Sequence, residues 1–199
     1  MNLKKDHRII SVASCTTNCL VPMLKVINES FGIERALVTT VHAFTNDQML
    51  HDSFHKKKRR GRAASLNLVP TSTGAAEAVT EVMPELAGRV NGLAVRAPVA
   101  CGSLVDLVAE LKGEVDKDAI NAMFKKYSLT TMKGILEYSE DELVGSDVIG
   151  NPNSSVFDSL STQVDGNLIK VLAWYDNEFG YSNRVIDVIQ MVNKFGKWL

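Results

Sequence analysis

The chain has 199 residues, 45% of them hydrophobic, and a formal net charge of -1 at neutral pH. That is enough apolar material for one large core, with no overall charge to draw it to nucleic acid or to an anionic membrane. No apolar run approaches the roughly 20 residues of a bilayer span. The first seven residues are polar, unlike a signal peptide, and three cysteines without framework spacing fit a reducing, cytoplasmic compartment.

Residues 8–13 (RIISVA) predict a short β-like run leading into Ser14-Cys15-Thr16-Thr17-Asn18-Cys19. Beyond it, Leu20, Met23, Leu24, Ile27 and Phe31 repeat at helical spacing, and Gly32 supplies a stop. Pro22 is expected in the first turn or so, where a missing N–H costs least. Cys15 is thereby expected at or just before a helix N-terminus, whose free N–H groups and dipole favour a thiolate. The alternative for a lone cysteine is a buried structural thiol. Ser14, Thr16 and Thr17 flank this one, however, and small hydroxyls suit an oxyanion or a phosphate better than a dry core. Cys19 lies one helical turn on, a poor separation for an unstrained disulfide, and no second pair completes a metal site, so it reads as packing.

Residues 36–43 (ALVTTVHA) form a strand by composition, with His42 near its end. A long polar stretch follows, in which six of the seven residues 56–62 are basic. It reads as a solvated loop or an anion-binding loop; a nucleic-acid patch would interleave more aromatics. In 69–76 (VPTSTGAA), hydroxyls and Gly74 precede a helical segment carrying Val79, Val82 and Met83, either as an anion site or as plain N-capping. Residues 91–97 and 102–111 read as strands separated by Pro98, and Arg96, inside an apolar run, needs a partner or an anion. Asp116 caps a helix with Ile120, Met123, Phe124 and Tyr127 on one face. Residues 134–138 form a short strand, 144–155 a loop and 168–175 a strand. After a polar turn, Ser182 is expected to cap a last helix with Val185, Val188, Ile189, Val192 and Phe195 on one stripe. Without strict βαβ alternation, this order suggests an α+β fold, a mixed, largely antiparallel sheet with helices packed on it. No G-x-G occurs among the 13 glycines, so the usual dinucleotide fingerprint is absent from these residues.

Cysteine chemistry needs a nucleophile, a base, oxyanion donors and a substrate clamp. Cys15 is the nucleophile candidate. His42 is the candidate base, because it alone of the four histidines ends an apolar strand; a core histidine satisfied by hydrogen bonds is the alternative. Two hydroxyl-rich turns and Arg96 can clamp an anionic group, and these parts suit acyl transfer through a thioester. A cysteine hydrolase of another fold and a non-catalytic binding or assembly module are the rival readings.

SCTTNCL, TTVHAFTNDQ, RAAS, PTSTGAAEAV, GLAVRAP, SLVDLVAEL, KGIL-Y and WYDNEFGYSNRV stand in this order from about residue 11 to residue 192. In this the chain resembles the catalytic domain of phosphorylating glyceraldehyde-3-phosphate dehydrogenases. The resemblance implies one catalytic domain over 1–199, with the amino-terminal Rossmann domain missing and the helix over 182–199 docking on it. It implies a glycolytic oxidoreductase of glucose metabolism that oxidises D-glyceraldehyde 3-phosphate with NAD or NADP and inorganic phosphate. A related enzyme acting on erythrose 4-phosphate is the alternative. Carried over by motif, Cys15 resembles the nucleophile that forms a thiohemiacetal, and His42 the base that activates it and assists hydride departure. Ser14, Thr16, Thr73 and Gly74 resemble the inorganic-phosphate site. Thr45 and Arg96, with Asp47 nearby, resemble the site for the substrate's own phosphate, and Arg60 is a further candidate phosphate contact. Asn177 resembles the residue that orients the nicotinamide carboxamide, supported by Glu178 and Tyr181. No metal is expected. The basic loop matches one that lines the cofactor pocket and a subunit interface, so a homo-oligomer is implied. The chain departs from the family pattern at Val12, at 99–102 (VACG) and at Ser53-Phe54, where NAD-preferring members often carry Leu-Pro.

Overall fold

A seven-stranded sheet organises the computed structural model, which describes residues 3, 4 and 6–194. In chain order the main elements are α1 (Cys15–Phe31), β1 (Ile33–Ala43), β2 (Val69–Thr71), α2 (Ala75–Val82), β3 (Val90–Ala97), β4 (Ser103–Leu111), α3 (Lys117–Leu129), β5 (Leu136–Ser139), β6 (Ser155–Asp165), β7 (Leu168–Tyr175) and α4 (Phe179–Lys194). The strand order is β2-β3-β1-β4-β7-β6-β5. The β1/β3 and β5/β6 pairs are parallel and the other four are antiparallel. The sheet is thus mixed and largely antiparallel, as expected.

Helix α1 lies across β1, β4, β6 and β7, and α2 and α3 extend the helical layer toward β3 at one end and β5 and β6 at the other. Leu20, Met23, Leu24 and Ile27 of the predicted stripe are completely buried and join Val105, Leu107, Phe157, Val171 and Ala173 in one core. The cap of α1 is Ser14, whose Oγ accepts from Thr17 N at 3.1 Å. Its stop is Gly32 at φ +72°, where a Cβ would lie 2.7 Å from Lys112 Cδ. Between β6 and β7, Gly166 at φ +61° opens a two-residue turn in which no other residue has positive φ, the II′ pattern that matches sheet twist.

Three expectations need correcting, and one strand went unread. Residues 8–13 pair with no strand among the described residues, and Ile9 is 94% exposed. The segment is fixed instead by Asn18, whose Nδ2 donates to Val12 O at 2.8 Å and Ser14 O at 2.9 Å. Pro22 lies mid-helix, not in the first turn, with its ring buried where the N–H is lost. Helix α4 begins three residues before Ser182, because Asp176 Oδ1 accepts from both Glu178 N and Phe179 N at 2.8 Å; Ser182 sits inside, donating to Glu178 O. Strand β6 was hidden by its polar composition, SVFDSLSTQVD, and most of 155–165 carried no sequence assignment. Its buried Asp158 is satisfied by Ser161 and by Trp174 Nε1. The short strand expected over 134–138 falls at Leu136–Ser139. Of the α4 stripe, Val192 is buried and Ile189 is 55% exposed, while Phe195, Trp198 and Leu199 lie outside the described residues. No described helix is long and apolar enough to cross a membrane.

Candidate active site

The N-terminus of α1 faces the C-terminal ends of β1 and β3. The parallel register sets His42 directly opposite Arg96 and Thr40 opposite Ala94, so these side chains share one face. Just before the helix, Ala13 adopts the left-handed conformation at φ +58°, a sharp turn that delivers Ser14 as the cap and Cys15 as the first helical residue. Cys15 Sγ thus comes within 3.4 Å of His42 Nε2.

His42 is buried and held on its other nitrogen. Nδ1 lies 2.7 Å from Ala43 O, and Arg96 Nη1 lies 2.5 Å from Nδ1 and 2.9 Å from the same carbonyl. With its proton on Nδ1, the imidazole donates to Ala43 O and leaves the Nε2 lone pair facing the thiol. With the proton on Nε2, Nδ1 accepts from Arg96 and Nε2 can donate to a thiolate. The ring can therefore serve both protonation states of the sulfur.

Burial, and then the Arg96 cation, push the His42 pKa down to about 4. Burial also pushes the Cys15 thiol up, against the Thr16 N–H and hydroxyl and the charge of Arg96, which favour the thiolate. The thiolate expected from the helix terminus is not the resting form. Desolvation outweighs the helix dipole, and the pair rests as thiol and imidazole.

A cleft of about 470 Å³ opens on this pair. Ser14, Cys15 and Thr16 form one wall, and Thr73 and Gly74, ahead of α2, form another. His42, Arg96 and Arg60 complete the set of sequence-predicted residues brought together there. Thr73 Oγ1 accepts from Ala75 N at 3.2 Å, and Gly74 is the α2 cap. Arg96 Nε is buried and has no partner among the described residues. Arg60 is anchored by Thr71 Oγ1 at 2.9 Å and by an ion pair with Asp47.

The remaining candidates stand outside the cleft lining. Thr45 lies in the loop after β1, its carbonyl accepting from Gln48 N. Asn177 follows β7 and accepts from Ser103 Oγ through Oδ1 at 3.0 Å; Glu178 and Tyr181 sit at the start of α4. Sequence reasoning missed Tyr175, whose hydroxyl meets Thr16 Oγ1 and Thr40 Oγ1, each at 2.9 Å. Its place at the end of an apolar run (LIKVLAWY) signalled only core packing. Lys57, another lining residue, was submerged in the basic run.

The family described as "Glyceraldehyde 3-phosphate dehydrogenase, C-terminal domain" matches residues 14–177. The chain belongs to this family. The match runs from the cap of α1 to Asn177 and takes in every residue of the cleft lining except Ala13. Over 192 residues the chain is 55% identical to glyceraldehyde-3-phosphate dehydrogenase 1 of Bacillus subtilis (strain 168), covering 96% of this chain and 57% of that protein. It is 52% identical over 187 residues to glyceraldehyde-3-phosphate dehydrogenase 2 of Streptomyces avermitilis, covering 94% and 56%. With glyceraldehyde-3-phosphate dehydrogenase of Borreliella burgdorferi it shares 53% identity over 196 residues, covering 97% and 58%. The chain thus spans somewhat more than half the length of these relatives.

Proposed function

We propose that this chain is the catalytic half of a phosphorylating aldehyde dehydrogenase that oxidises glyceraldehyde 3-phosphate through a Cys15 thioester. The observation that carries the reading is the 3.4 Å approach of Cys15 Sγ to His42 Nε2 at the mouth of a cation-lined cleft. In this reading His42 Nε2 takes the thiol proton as Cys15 adds to the aldehyde carbon, giving a thiohemiacetal. The free N–H groups at the α1 N-terminus stabilise the developing oxyanion. A bound oxidised nicotinamide dinucleotide supplies the hydride acceptor that makes the thioester accessible. His42 then holds the hydroxyl proton, and an incoming phosphate oxygen attacks the thioester carbon and releases Cys15.

Arg96 supports binding of the substrate's phosphate, since its buried Nε lacks a partner among the described residues and its charge is raised in energy by burial and by neighbouring Arg60. Thr45 joins it in the reading. Ser14, Thr16, Thr73 and Gly74 are assigned to inorganic phosphate, with Arg60 beside them. Asn177 fits the carboxamide of the cofactor: Oδ1 is anchored on Ser103 and Nδ2 is left without a protein partner among the described residues. Glu178 and Tyr181 support that end, and the dinucleotide's remaining length requires an amino-terminal domain.

Reduced-cofactor production from glyceraldehyde 3-phosphate and phosphate tests the reading, with the chain alone and with a cofactor domain from a relative added in trans. Activity is expected in the mixture, and loss of it with Cys15→Ser. A mixture that binds cofactor yet oxidises no aldehyde would sink the assignment.

A further inference from the structure

We infer that Lys57 is the loop cation that positions the attacking inorganic phosphate, an inference that rests on the phosphorylating reading above. Two basic-loop side chains, Lys57 and Arg60, line the cleft of Cys15 and His42. Their charges are not equally available. The Arg60 guanidinium is matched by the carboxylate of Asp47, which also faces His55 Nε2 at 3.5 Å. Lys57 has no carboxylate partner among the described residues; its ammonium donates to Ser72 Oγ at 2.9 Å, an uncharged acceptor that leaves two of its three protons unused. Ser72 immediately precedes Thr73 and Gly74, so the free charge is held over the turn that opens α2.

The loop backbone keeps it there. Lys57 N donates to His55 Nδ1 at 2.9 Å, and Arg60 N donates to Lys57 O at 2.8 Å. Among the described residues, no carboxylate lines the cleft. A dianion entering beside Thr73 therefore meets Lys57 on one side and the α1 N-terminus on the other, and Lys57 gains the counter-charge it lacks. Lys56 and Lys58, its neighbours, line other depressions and not this one. The effect is thus a matter of position, not of the loop's total charge.

Protection of Cys15 from iodoacetamide by inorganic phosphate, at constant ionic strength, tests this on the chain itself. Lys57→Gln should raise the half-protecting phosphate concentration by about fivefold, the scale of one charge-assisted contact near solvent. Lys57→Arg should restore most of the protection. Lys58→Gln, an identical change of charge, should leave it unaltered. Equal protection in Lys57→Gln and the parent chain would overturn the role of Lys57 alone. No protection by phosphate in the parent chain would overturn the phosphate site itself, and with it this inference. Equal losses in Lys57→Gln and Lys58→Gln would reduce the effect to bulk loop charge and overturn the positioning role. Far-ultraviolet circular dichroism of each variant reports that the fold is retained.

Discussion

Tyr175 stands edge-on to His42, with ring centroids 5.9 Å apart and planes at 72°, and its hydroxyl touches both Thr16 and Thr40. The hydroxyls form a directed chain. Thr40 donates to Leu104 O at 3.0 Å, so it accepts from Tyr175, and Tyr175 in turn accepts from Thr16. Burial keeps Tyr175 a neutral phenol. The Thr16 proton is therefore drawn to Tyr175 and away from the sulfur of Cys15.

Tyr175→Phe removes that acceptor while keeping the ring. Thr16 is then released to donate to the sulfur, and the Cys15 pKa should fall. The variant should also lose about 1–2 kcal/mol of stability, the scale of a buried hydrogen bond broken on one side. The pH dependence of alkylation, together with urea unfolding, checks both. An unchanged thiol pKa would show that Thr16 already gives its proton to the sulfur.

His42 makes stability depend on acidity in a particular direction. Its folded pKa of about 4 lies below the ordinary 6.5, so the unfolded chain takes up the proton first as pH falls. The contribution is complete above about pH 6.5 and drains away between 6.5 and 4. Over that window the loss amounts to roughly 3 kcal/mol. Unfolding free energies measured across it should fall less steeply in His42→Asn. Carboxylates titrate alike in both chains and cancel in the difference. Parallel curves would mean that folding leaves the His42 pKa where it is in the unfolded chain.

Much of this site was legible because its residues sit where local rules are strong. An apolar helical stripe and a terminal glycine marked α1, and with it the place of Cys15. Strand β1 announced itself by β-branched composition, β4 as an apolar run set off by Pro98, and α3 by its capping Asp116. What escaped was set by tertiary contact. Strand β6 is polar because its buried Asp158, Ser159 and Thr162 bond to neighbouring elements, so alternation was masked. Residues 8–13 have strand propensity but no described partner to pair with. The resting state of Cys15 depends on desolvation by chain segments far apart in sequence, which no local pattern reports.

The three cysteines should separate cleanly in reactivity. Cys19 is fully buried and pushed up to about 12 by burial. Cys101 is raised by burial and by the facing carboxylate of Asp176, which repels a thiolate. Cys15 is raised too, yet it alone has an imidazole nitrogen within reach to take its proton. Limited iodoacetamide treatment near neutral pH, followed by peptide mapping, should label Cys15 first. His42→Asn should slow that labelling by about tenfold or more, the low end of a general base's contribution. Earlier labelling of Cys101 would remove the support for Cys15 as nucleophile.

Helix α4 raises the last expectation. Its described surface leaves Phe179 47%, Ile186 51%, Ile189 55% and Met191 36% exposed, while only Gly180 and Val192 are buried. A run of large apolar side chains along one helix is unusual on a free surface and marks a contact not made within these residues. In the proposed reading the contact is with the amino-terminal cofactor domain. The isolated chain should therefore self-associate as its concentration rises. Ile186→Asp with Ile189→Asp should keep it monomeric at an unchanged melting temperature, since neither side chain contributes to the core. Adding the cofactor domain should suppress association of the parent chain and leave the double variant unbound. Sedimentation velocity at several concentrations, with and without that domain, reads each outcome. A parent chain that stays monomeric and ignores the added domain would show that this face needs no partner.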